Sequence, residues 1–294
     1  MAEIEISSPA KINLFLAVTG RREDGFHSLS SLVAPLEFGD RISIQAKPGD
    51  SKIELSSDSR GIPLDERNLA WRAASRFLET FERQASISIH IEKRIPVGAG
   101  LGGGSSNAAA TLLGLSELFG VDDAKSIRAL AEELGSDCPL FIERTPLLMR
   151  GRGELIESLE PDARSSLAGL QLALFKPSFG ISTAWAYGAL ASSAAGYVEA
   201  SKAEAQLAAW KRGDRPIGDL LFNSFESVVG EKYPAIPLLL DRVNASVGAP
   251  CLMSGSGSCC FALGGDQQIA QIRTLVAESW GEKAFFQATR IADI

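Results

Sequence analysis

Five glycines lie within the seven residues 98–104, immediately ahead of the pair Ser105 and Ser106. Glycine lets the backbone adopt positive φ and approach an anion without a Cβ in the way. The N–H groups at the start of a helix, together with the helix dipole, attract phosphate oxygens. The two serines can cap those N–H groups, or contact a phosphate or a magnesium ion themselves. The segment is therefore predicted to bind phosphate, and a glycine-rich turn without a ligand is the alternative.

Three well-known families with glycine loops fit this segment poorly. Gly98–Gly103 satisfies the pattern GxGxxG, but the strand before it is half polar. The acids about 20 residues further on, Asp122 and Asp123, begin a helix, whereas a dinucleotide-binding fold needs an acid at the end of a strand there. A P-loop needs Gly-Lys-Ser/Thr, and no lysine follows these glycines. Neither His27 nor His90 stands in the His-Arg-Asp loop of a protein kinase. A nicotinamide-dependent oxidoreductase, resting on GxGxxG alone, is therefore disfavoured.

Two further residues have the chemistry that phosphoryl transfer to an alcohol requires, a base and a cation. Asp137 is the candidate base because it follows a helix end, between Gly135 and Pro139; the alternative is a cap for the next turn. Lys11 is the candidate cation because a lysine inside an apolar strand run is unusual unless its charge has a partner. The alternative for Lys11 is a solvated position on an edge strand. We expect Lys11 and Asp137 to lie within contact distance.

Hydrophobic periodicity predicts the elements that position these residues. Strands are predicted near 3–16, as an antiparallel pair at 41–46 and 52–55, at 87–92, and as a strand–loop–strand segment over 251–263. Helices are predicted at 68–81, after the glycines from Ser105, at 123–134, at 199–211, at 238–247 and from 267. Gly135 is expected to end its helix in a left-handed turn. Irregular mixing of strands and helices favours an α+β fold, and a break in the pattern over 150–168 predicts two domains, 1–158 and 159–294.

The composition excludes several classes of protein. The chain has 294 residues, 45% of them apolar, and a formal net charge of −7. It therefore has no general positive field for nucleic acid or an anionic membrane. Two histidines, and four cysteines without CxxC spacing, argue against zinc and against a disulfide framework, so the cysteines are expected to be small buried hydrophobes. The acidic N-terminus is unlike a signal peptide, and no apolar stretch reaches ~18 residues. We expect a soluble, cytoplasmic protein, with its oligomeric state open.

Three segments resemble the GHMP kinases. The first is the glycine segment with its following small-residue helix, which resembles the superfamily's signature. The second comprises residues 8–16 and 20–29, which resemble the first motif and the cytidine-recognition segment of the 4-diphosphocytidyl-2-C-methyl-D-erythritol kinases. The third, 252–258, resembles the third glycine motif of the superfamily. The resemblance implies that ATP is held by Pro96, Val97, Gly98, Ala99, Gly100, Leu101, Gly102, Gly103, Gly104, Ser105 and Ser106.

The resemblance also implies a fold and a reaction. The fold would be the two-domain GHMP kinase architecture, with an N-terminal domain like the second domain of ribosomal protein S5 and a ferredoxin-like C-terminal domain. The reaction would be the phosphorylation, with ATP and Mg²⁺, of the 2-hydroxyl of a cytidine diphosphate derivative in the non-mevalonate isoprenoid pathway. Asp137 would be the base, oriented by Lys11, and the metal ligands stay open.

By the same resemblance, the substrate would be contacted by Asn13, Phe26, His27, Thr183 and Tyr187. Phe26 stands where that family usually has tyrosine, and Tyr187 where it usually has phenylalanine, so the two stacking rings are expected to be exchanged. Another GHMP kinase, acting on a sugar or a small alcohol, is one alternative. A non-catalytic regulator on the same fold is another, although such a protein would need neither the base nor the lysine.

Overall fold

The computed structural model describes residues 2–50, 52–193 and 196–293, and within these residues the chain forms eleven strands and eleven helices. The strands are β1 (Ala2–Arg21), β2 (His27–Pro48), β3 (Ile53–Ser57), β4 (Ala85–Glu92), β5 (Leu147–Arg150), β6 (Leu155–Ser158), β7 (Gln171–Lys176), β8 (Phe222–Asn223), β9 (Cys251–Met253), β10 (Cys260–Leu263) and β11 (Phe285–Arg290). The helices are α1 (Leu69–Thr80), α2 (Gly103–Phe119), α3 (Ala124–Leu134), α4 (Cys138–Glu143), α5 (Pro161–Ser165), α6 (Thr183–Ser192), α7 (Ala200–Lys211), α8 (Ile217–Leu220), α9 (Phe225–Lys232), α10 (Ala235–Val247) and α11 (Asp266–Trp280). Among the described residues, none of the helices combines the length and apolarity that crossing a bilayer requires.

The described residues form two compact units that are interleaved along the chain. The first unit takes the described parts of 1–10, 38–97 and 102–144, and the second takes those of 11–37, 98–101 and 145–294. The long strands β1 and β2 and the glycine loop therefore contribute residues to both units. The division into two contiguous domains at residue 158 stays a prediction.

The first unit places helices over one face of a mixed sheet. The second half of β2 pairs antiparallel with β4, and β3 pairs parallel with β4 on its other side. The two strands predicted at 41–46 and 52–55 do run antiparallel to each other, but β4 lies between them. Every second residue of β4 is buried, beginning with Ala85, because these side chains pack with α1 and α2 on one face of the sheet. The predicted helix over 68–81 is confirmed as α1, whose N-terminus is capped by the Asn68 side chain.

Two details at helix ends differ from the sequence-based expectations. The helix α3 does end at Gly135, but this glycine has a φ of 169°, which is extended backbone rather than the expected left-handed turn. The helix after the glycine loop begins at Gly103 and not at Ser105, because the left-handed Gly102 already directs the chain into the helix.

The second unit contains a four-stranded sheet in the spatial order β11-β7-β10-β9, and every neighbouring pair is antiparallel. The chain passes through helices between β7 and β9 and through α11 between β10 and β11, which is the β-α-β-β-α-β connectivity of a ferredoxin-like domain. The expected ferredoxin-like C-terminal domain, and the α+β fold class, are confirmed. Its core includes Phe175, Phe225 and Ile272. The first half of β2 extends this unit by pairing with β5, and β1 pairs parallel with β8.

Candidate active site

The glycine loop joins β4 to α2 through three left-handed glycines. Gly98, Gly100 and Gly102 have φ angles of 63°, 77° and 71°, a region that residues with a Cβ rarely adopt. Gly102 is also the N-cap of α2, and no side chain among the described residues caps the start of this helix. The N–H groups of its first turn therefore keep their capacity to bind an anion. This geometry suits a phosphate.

The two serines after the glycines have different surroundings. Of the two roles that the sequence allowed them, capping the start of α2 is wrong, since both lie inside the helix. Ser106 is 0% exposed, and its hydroxyl accepts a hydrogen bond of 2.9 Å from the Ser8 hydroxyl. Ser105 is half-buried, and its hydroxyl bonds to the Cys138 thiol. Of the pair, Ser105 is therefore the more accessible to a phosphate or a magnesium ion, and Ser106 supports the helix from within.

Main-chain and side-chain hydrogen bonds of the second unit hold the middle of the glycine loop. The Lys11 N–H donates to the Leu101 carbonyl at 3.0 Å. The Ser254 hydroxyl donates to the Gly100 carbonyl at 3.2 Å. The contact with Ser254 is so close that a Cβ on Gly100 would lie 2.2 Å from the Ser254 carbonyl oxygen. Strand β1 and the third glycine motif, 252–258, therefore fix the path of residues 98–101.

The Lys11 side chain is buried and partnered. It is 6% exposed, and its Nζ donates to Asn13 Oδ1 at 2.6 Å. Asn13 in turn donates from Nδ2 to Ser31 Oγ at 2.9 Å. A Cβ on Gly255 would lie 3.4 Å from Lys11 Nζ, so the ammonium group also reaches the third glycine motif. The alternative of a solvated edge-strand lysine is wrong, because a buried lysine needs partners such as these.

Asp137 occupies the residue directly before α4. Its carboxylate makes no capping hydrogen bond to that helix among the described residues, so the structural alternative of a helix cap is wrong. Asp137 belongs to the first unit and Lys11 to the second. The expected contact between the two side chains stays a prediction.

His27 begins β2 and lies in an aromatic cluster of the second unit. Its ring stacks on Tyr187 with centroids 4.7 Å apart. Burial, and after it the charge of Arg21, lowers the pKa of His27, so the ring is neutral near pH 7. Its Nε2 atom is buried and has no hydrogen-bond partner within the described part of the chain. Buried polar atoms are normally paired, so this nitrogen is suited to a hydrogen bond with a ligand.

The two aromatic residues expected to sandwich a nucleobase have unlike environments. Phe26 is 53% exposed, and the Arg152 guanidinium lies over its ring at 5.1 Å from the centroid. One face of the Tyr187 ring stacks on His27. The ring also packs edge-on against Phe225, with the two centroids 4.8 Å apart. Stacking of a base between Phe26 and Tyr187 stays a prediction, as does substrate contact by Thr183, whose hydroxyl lies 2.8 Å from that of Ser256.

Asn223 is a site residue that the sequence did not reveal. This buried asparagine donates from Nδ2 to the Met253 carbonyl at 2.7 Å and to the Gly255 carbonyl at 2.8 Å. Its Oδ1 accepts from the Phe225 N–H at 2.9 Å. Asn223 thus fixes the third glycine motif beside Lys11. A single asparagine ahead of an apolar run gives no local signal, and only the parallel pairing of β8 with β1 opposite Leu16 brings it there.

No resident metal cage or reactive thiol emerges from the described residues. Within them, no group of three or more His, Cys, Asp or Glu side chains is placed to hold a metal ion. Burial raises the pKa of the Cys138, Cys251 and Cys259 thiols to about 12 and that of Cys260 well above its usual value. The cysteines therefore act as small apolar side chains, as expected.

Comparison with known proteins connects this geometry to a family. The family model described as the GHMP kinases N terminal domain matches residues 68–143, which contain the glycine loop and Asp137. The model described as GHMP kinases C terminal matches residues 203–281, which contain the third glycine motif.

Individual relatives extend the similarity over nearly the whole chain. A 4-diphosphocytidyl-2-C-methyl-D-erythritol kinase of Methylacidiphilum infernorum is 39% identical over 261 residues, covering 87% of this chain and 84% of the relative. A crystal structure of 4-(cytidine 5'-diphospho)-2C-methyl-D-erythritol kinase is 34% identical, with a TM-score of 0.77 over 98% of this chain and 99% of that one. The Methanococcus jannaschii mevalonate kinase superposes with a TM-score of 0.76 over 99% of both chains but is 13% identical, so it shows the fold alone.

Proposed function

The chain belongs to the GHMP kinases and, within them, to the 4-diphosphocytidyl-2-C-methyl-D-erythritol kinase family, and we propose that it transfers the γ-phosphate of ATP to the 2-hydroxyl of 4-diphosphocytidyl-2-C-methyl-D-erythritol. The reaction would be a step in the non-mevalonate synthesis of isoprenoid precursors. The observation that carries the proposal is the 39% and 34% identity to enzymes of this name over nearly complete chains.

The glycine loop is the proposed site for the phosphates of ATP. Its left-handed glycines bring main-chain N–H groups close to an anion, and the uncapped start of α2 adds the positive end of the helix dipole. The net charge of the chain is −7, so the binding of a polyanion must come from such local donors rather than from a general positive field.

Asp137 is the proposed base and Lys11 the cation beside the reacting groups. Phosphoryl transfer needs the acceptor hydroxyl in line with the γ-phosphate, charge stabilisation and a group that takes the proton. In the proposed reaction the Asp137 carboxylate accepts the proton of the 2-hydroxyl as the hydroxyl oxygen attacks the γ-phosphorus, and the bond from the γ-phosphorus to the β,γ-bridging oxygen breaks, so that ADP leaves. The ammonium of Lys11, fixed by Asn13, stabilises negative charge that develops on the oxygens.

The cytidine end of the substrate is proposed to bind at His27. Neutral imidazole carries one donor and one acceptor nitrogen, and its buried Nε2 is available to the hydrogen-bonding edge of cytosine. The stack on Tyr187 holds the ring plane in place. Phe26, exposed beside Arg152, is the aromatic surface on which the base can lie.

Magnesium is proposed to enter with ATP. The described residues hold no ready-made cluster of acidic ligands, which fits a cation that keeps several waters and binds chiefly through substrate phosphates. Ser105, in the first turn of α2, is the protein hydroxyl best placed to contribute. When bound, magnesium neutralises phosphate charge.

The proposed reaction would take place in the cytoplasm. The four cysteines are free thiols in the structure, which suits a reducing compartment.

The test is ADP release by the purified chain with Mg·ATP and each of four alcohols: the cytidine substrate, mevalonate, homoserine and galactose. Turnover confined to the cytidine substrate is expected. Turnover with another alcohol would retain a GHMP kinase and reject the substrate. Absence of turnover with all four, while Mg·ADP still binds, would identify a non-catalytic nucleotide-binding regulator.

A further inference from the structure

Asp40 is a buried acid that contacts both ends of the glycine loop. Its side chain is 0% exposed. Its Oδ1 accepts hydrogen bonds of 2.8 Å from the main-chain N–H groups of Arg94 and Ile95. Its Oδ2 accepts from Lys93 Nζ at 2.6 Å and from Asn107 Nδ2 at 2.9 Å. One carboxylate therefore receives four donors, all from the first unit.

These donors lie on the two chain segments that enter and leave the loop. Residues 93–95 follow the end of β4 and lead into Pro96, and Asn107 is in the second turn of α2. The spacing between the last residues before the loop and the first turns of the helix is thus set through one side chain. Lys93 reinforces the same junction, because its Nζ also donates to the Ile95 carbonyl at 2.8 Å.

The Asn107 side chain links this acid to the serines beneath α2. Its Nδ2 donates to the Ser8 hydroxyl at 2.9 Å as well as to Asp40, and Ser8 donates to Ser106. The first two turns of α2 are therefore tied to β1 and β2 by a continuous buried network. Networks of this kind fix geometry when every member is satisfied.

A buried ion pair is a poor means of adding stability. Removing two charges from water opposes folding, and well-packed apolar side chains often serve stability as well or better. The side chains of Asp40 and Lys93 are only 0% and 7% exposed, and they lie where the chain enters the glycine loop. We therefore expect this ion pair to have a role other than stability. Its geometry offers one, since a carboxylate with four directional partners holds two segments at a fixed separation.

We propose that Asp40 is a positioning residue for nucleotide binding, which holds the two ends of the glycine loop at the separation that aligns the loop and the start of α2 on the phosphates of ATP. The inference rests on the proposed function, because it takes this loop to be the ATP site. Asp40 touches no reacting atom, so its contribution is to the affinity for nucleotide rather than to chemistry.

The test measures Mg·ADP binding by titration calorimetry, beside thermal unfolding, for the wild-type chain and three variants. Asp40→Asn keeps an acceptor for the N–H groups of Arg94 and Ile95 but removes the charge that Lys93 and Asn107 share. Asn107→Leu, close in volume, removes the hydrogen bonds of α2 to Asp40 and to Ser8 and leaves the Asp40–Lys93 pair in place. Thr111→Val, one turn later in α2, is the matched control, since it removes the buried hydrogen bond from Thr111 to the Asn107 carbonyl without touching Asp40.

We expect Asp40→Asn and Asn107→Leu to raise the Kd for Mg·ADP about tenfold, equivalent to about 1.4 kcal/mol. Thr111→Val should leave the Kd within about twofold, although it also loses a buried hydrogen bond of α2. Asn107→Leu loses two hydrogen bonds, one of them to a charged carboxylate, so its loss of stability should be the larger one. In turnover assays the same variants should raise KM for ATP and leave KM for the alcohol substrate unchanged. If the role were merely structural, the rise in the Kd for Mg·ADP would instead be proportional to the decrease in Tm across all three variants.

An unchanged affinity for Mg·ADP in Asp40→Asn, or an equal loss of that affinity in Asn107→Leu and Thr111→Val, would overturn the inference. If Asp40→Asn fails to fold, the comparison of Asn107→Leu with Thr111→Val decides alone. The wild-type titration separates this inference from the proposed function. Wild-type chain that does not bind Mg·ADP refutes the ATP site itself, whereas wild-type binding matched by the variants refutes only the role of Asp40.

Discussion

Replacement of Gly100 by alanine tests whether the glycine loop is held by the third glycine motif. In the structure Gly100 has a φ of 77°, and an added Cβ would lie 2.2 Å from the Ser254 carbonyl oxygen and 3.2 Å from the Gly257 nitrogen. Both neighbouring atoms belong to the main chain, so neither can rotate away as a side chain would. The loop and residues 254–257 must therefore separate to admit one methyl group.

The expected loss combines two effects. A left-handed conformation is unfavourable by about 1–2 kcal/mol for a residue with a Cβ. Forcing a methyl group into packed surroundings adds about 1–3 kcal/mol. We expect Gly100→Ala to lower the free energy of unfolding by about 3 kcal/mol, which lowers Tm by roughly 6–10 °C in a chain of this size.

Two neighbouring glycines give matched controls. Gly98 has a φ of 63° but nothing within 4 Å of an added Cβ, so Gly98→Ala should lose only about 1 kcal/mol. Gly104 lies inside α2, and its nearest neighbour to an added Cβ is Leu69 at 3.9 Å. Gly104→Ala should be neutral or stabilise the fold by up to about 1 kcal/mol, because alanine favours a helix.

The assay is thermal and urea unfolding of the three variants beside wild type, followed by Mg·ADP titration of those that fold. The expected order of stability is Gly104→Ala, Gly98→Ala and then Gly100→Ala, with weakened nucleotide binding in Gly100→Ala. Equal stability of Gly98→Ala and Gly100→Ala would show that Ser254 does not lie against the loop, and would refute the packing described here.

Three further variants test individual residues. Asp137→Asn should lower kcat by about 10²–10⁴-fold, the range for loss of a general base, with KM for ATP and Tm unchanged; near-wild-type kcat would exclude Asp137 as the base. His27→Phe should keep the stack on Tyr187 and lose the ring nitrogens. KM for the cytidine substrate should rise roughly 3–10-fold, as expected for the loss of one hydrogen bond. An equal rise in KM for ATP would contradict a role of His27 in binding the cytidine. Burial raises the pKa of Glu226 from 4.5 to about 7, so between these pH values the folded chain holds a proton that the unfolded chain releases. The contribution of this bound proton to the stability of the fold is full below pH 4.5 and is lost as pH rises through 7. The free energy of unfolding of Glu226→Gln, measured in urea, should therefore depend less on pH over this window and exceed that of wild type at pH 8 by up to about 3 kcal/mol. A parallel pH dependence in both proteins would refute the shift of the pKa.

Local features of the sequence were sufficient to predict the strand, loop and helix around the glycines; phosphate binding there stays a prediction. A half-polar strand, a run of glycines and a small-residue helix are short-range patterns, and the structure has β4, the loop and α2 in that order. The lysine of β1 was equally visible, because a charge inside an apolar run must find a partner. Lys11 found it two residues away, in Asn13.

Features that depend on long-range pairing were not predicted. The burial of Ser106 follows from its contact with Ser8, which is 98 residues distant, and the stack of His27 on Tyr187 joins two separate segments. The interleaving of the two units arises because β1 and β2 are long enough to serve both, which periodicity alone does not show. Asp40 did leave a signal: it lies in phase with the buried Ile42 and Ile44 of β2, so an acid occupied a position of the core.

The most direct test of the central claim is the ³¹P NMR spectrum, recorded without proton decoupling, of the product formed from Mg·ATP and 4-diphosphocytidyl-2-C-methyl-D-erythritol. The substrate has free hydroxyls on C1, C2 and C3, and only C2, which carries the methyl group, lacks a hydrogen. Transfer to the 2-hydroxyl predicts a new phosphomonoester signal that is not split by a proton across three bonds. A triplet, from phosphate on C1, or a doublet, from phosphate on C3 or on a ribose carbon, would contradict the proposed acceptor, and the absence of any new phosphomonoester would contradict the proposed substrate.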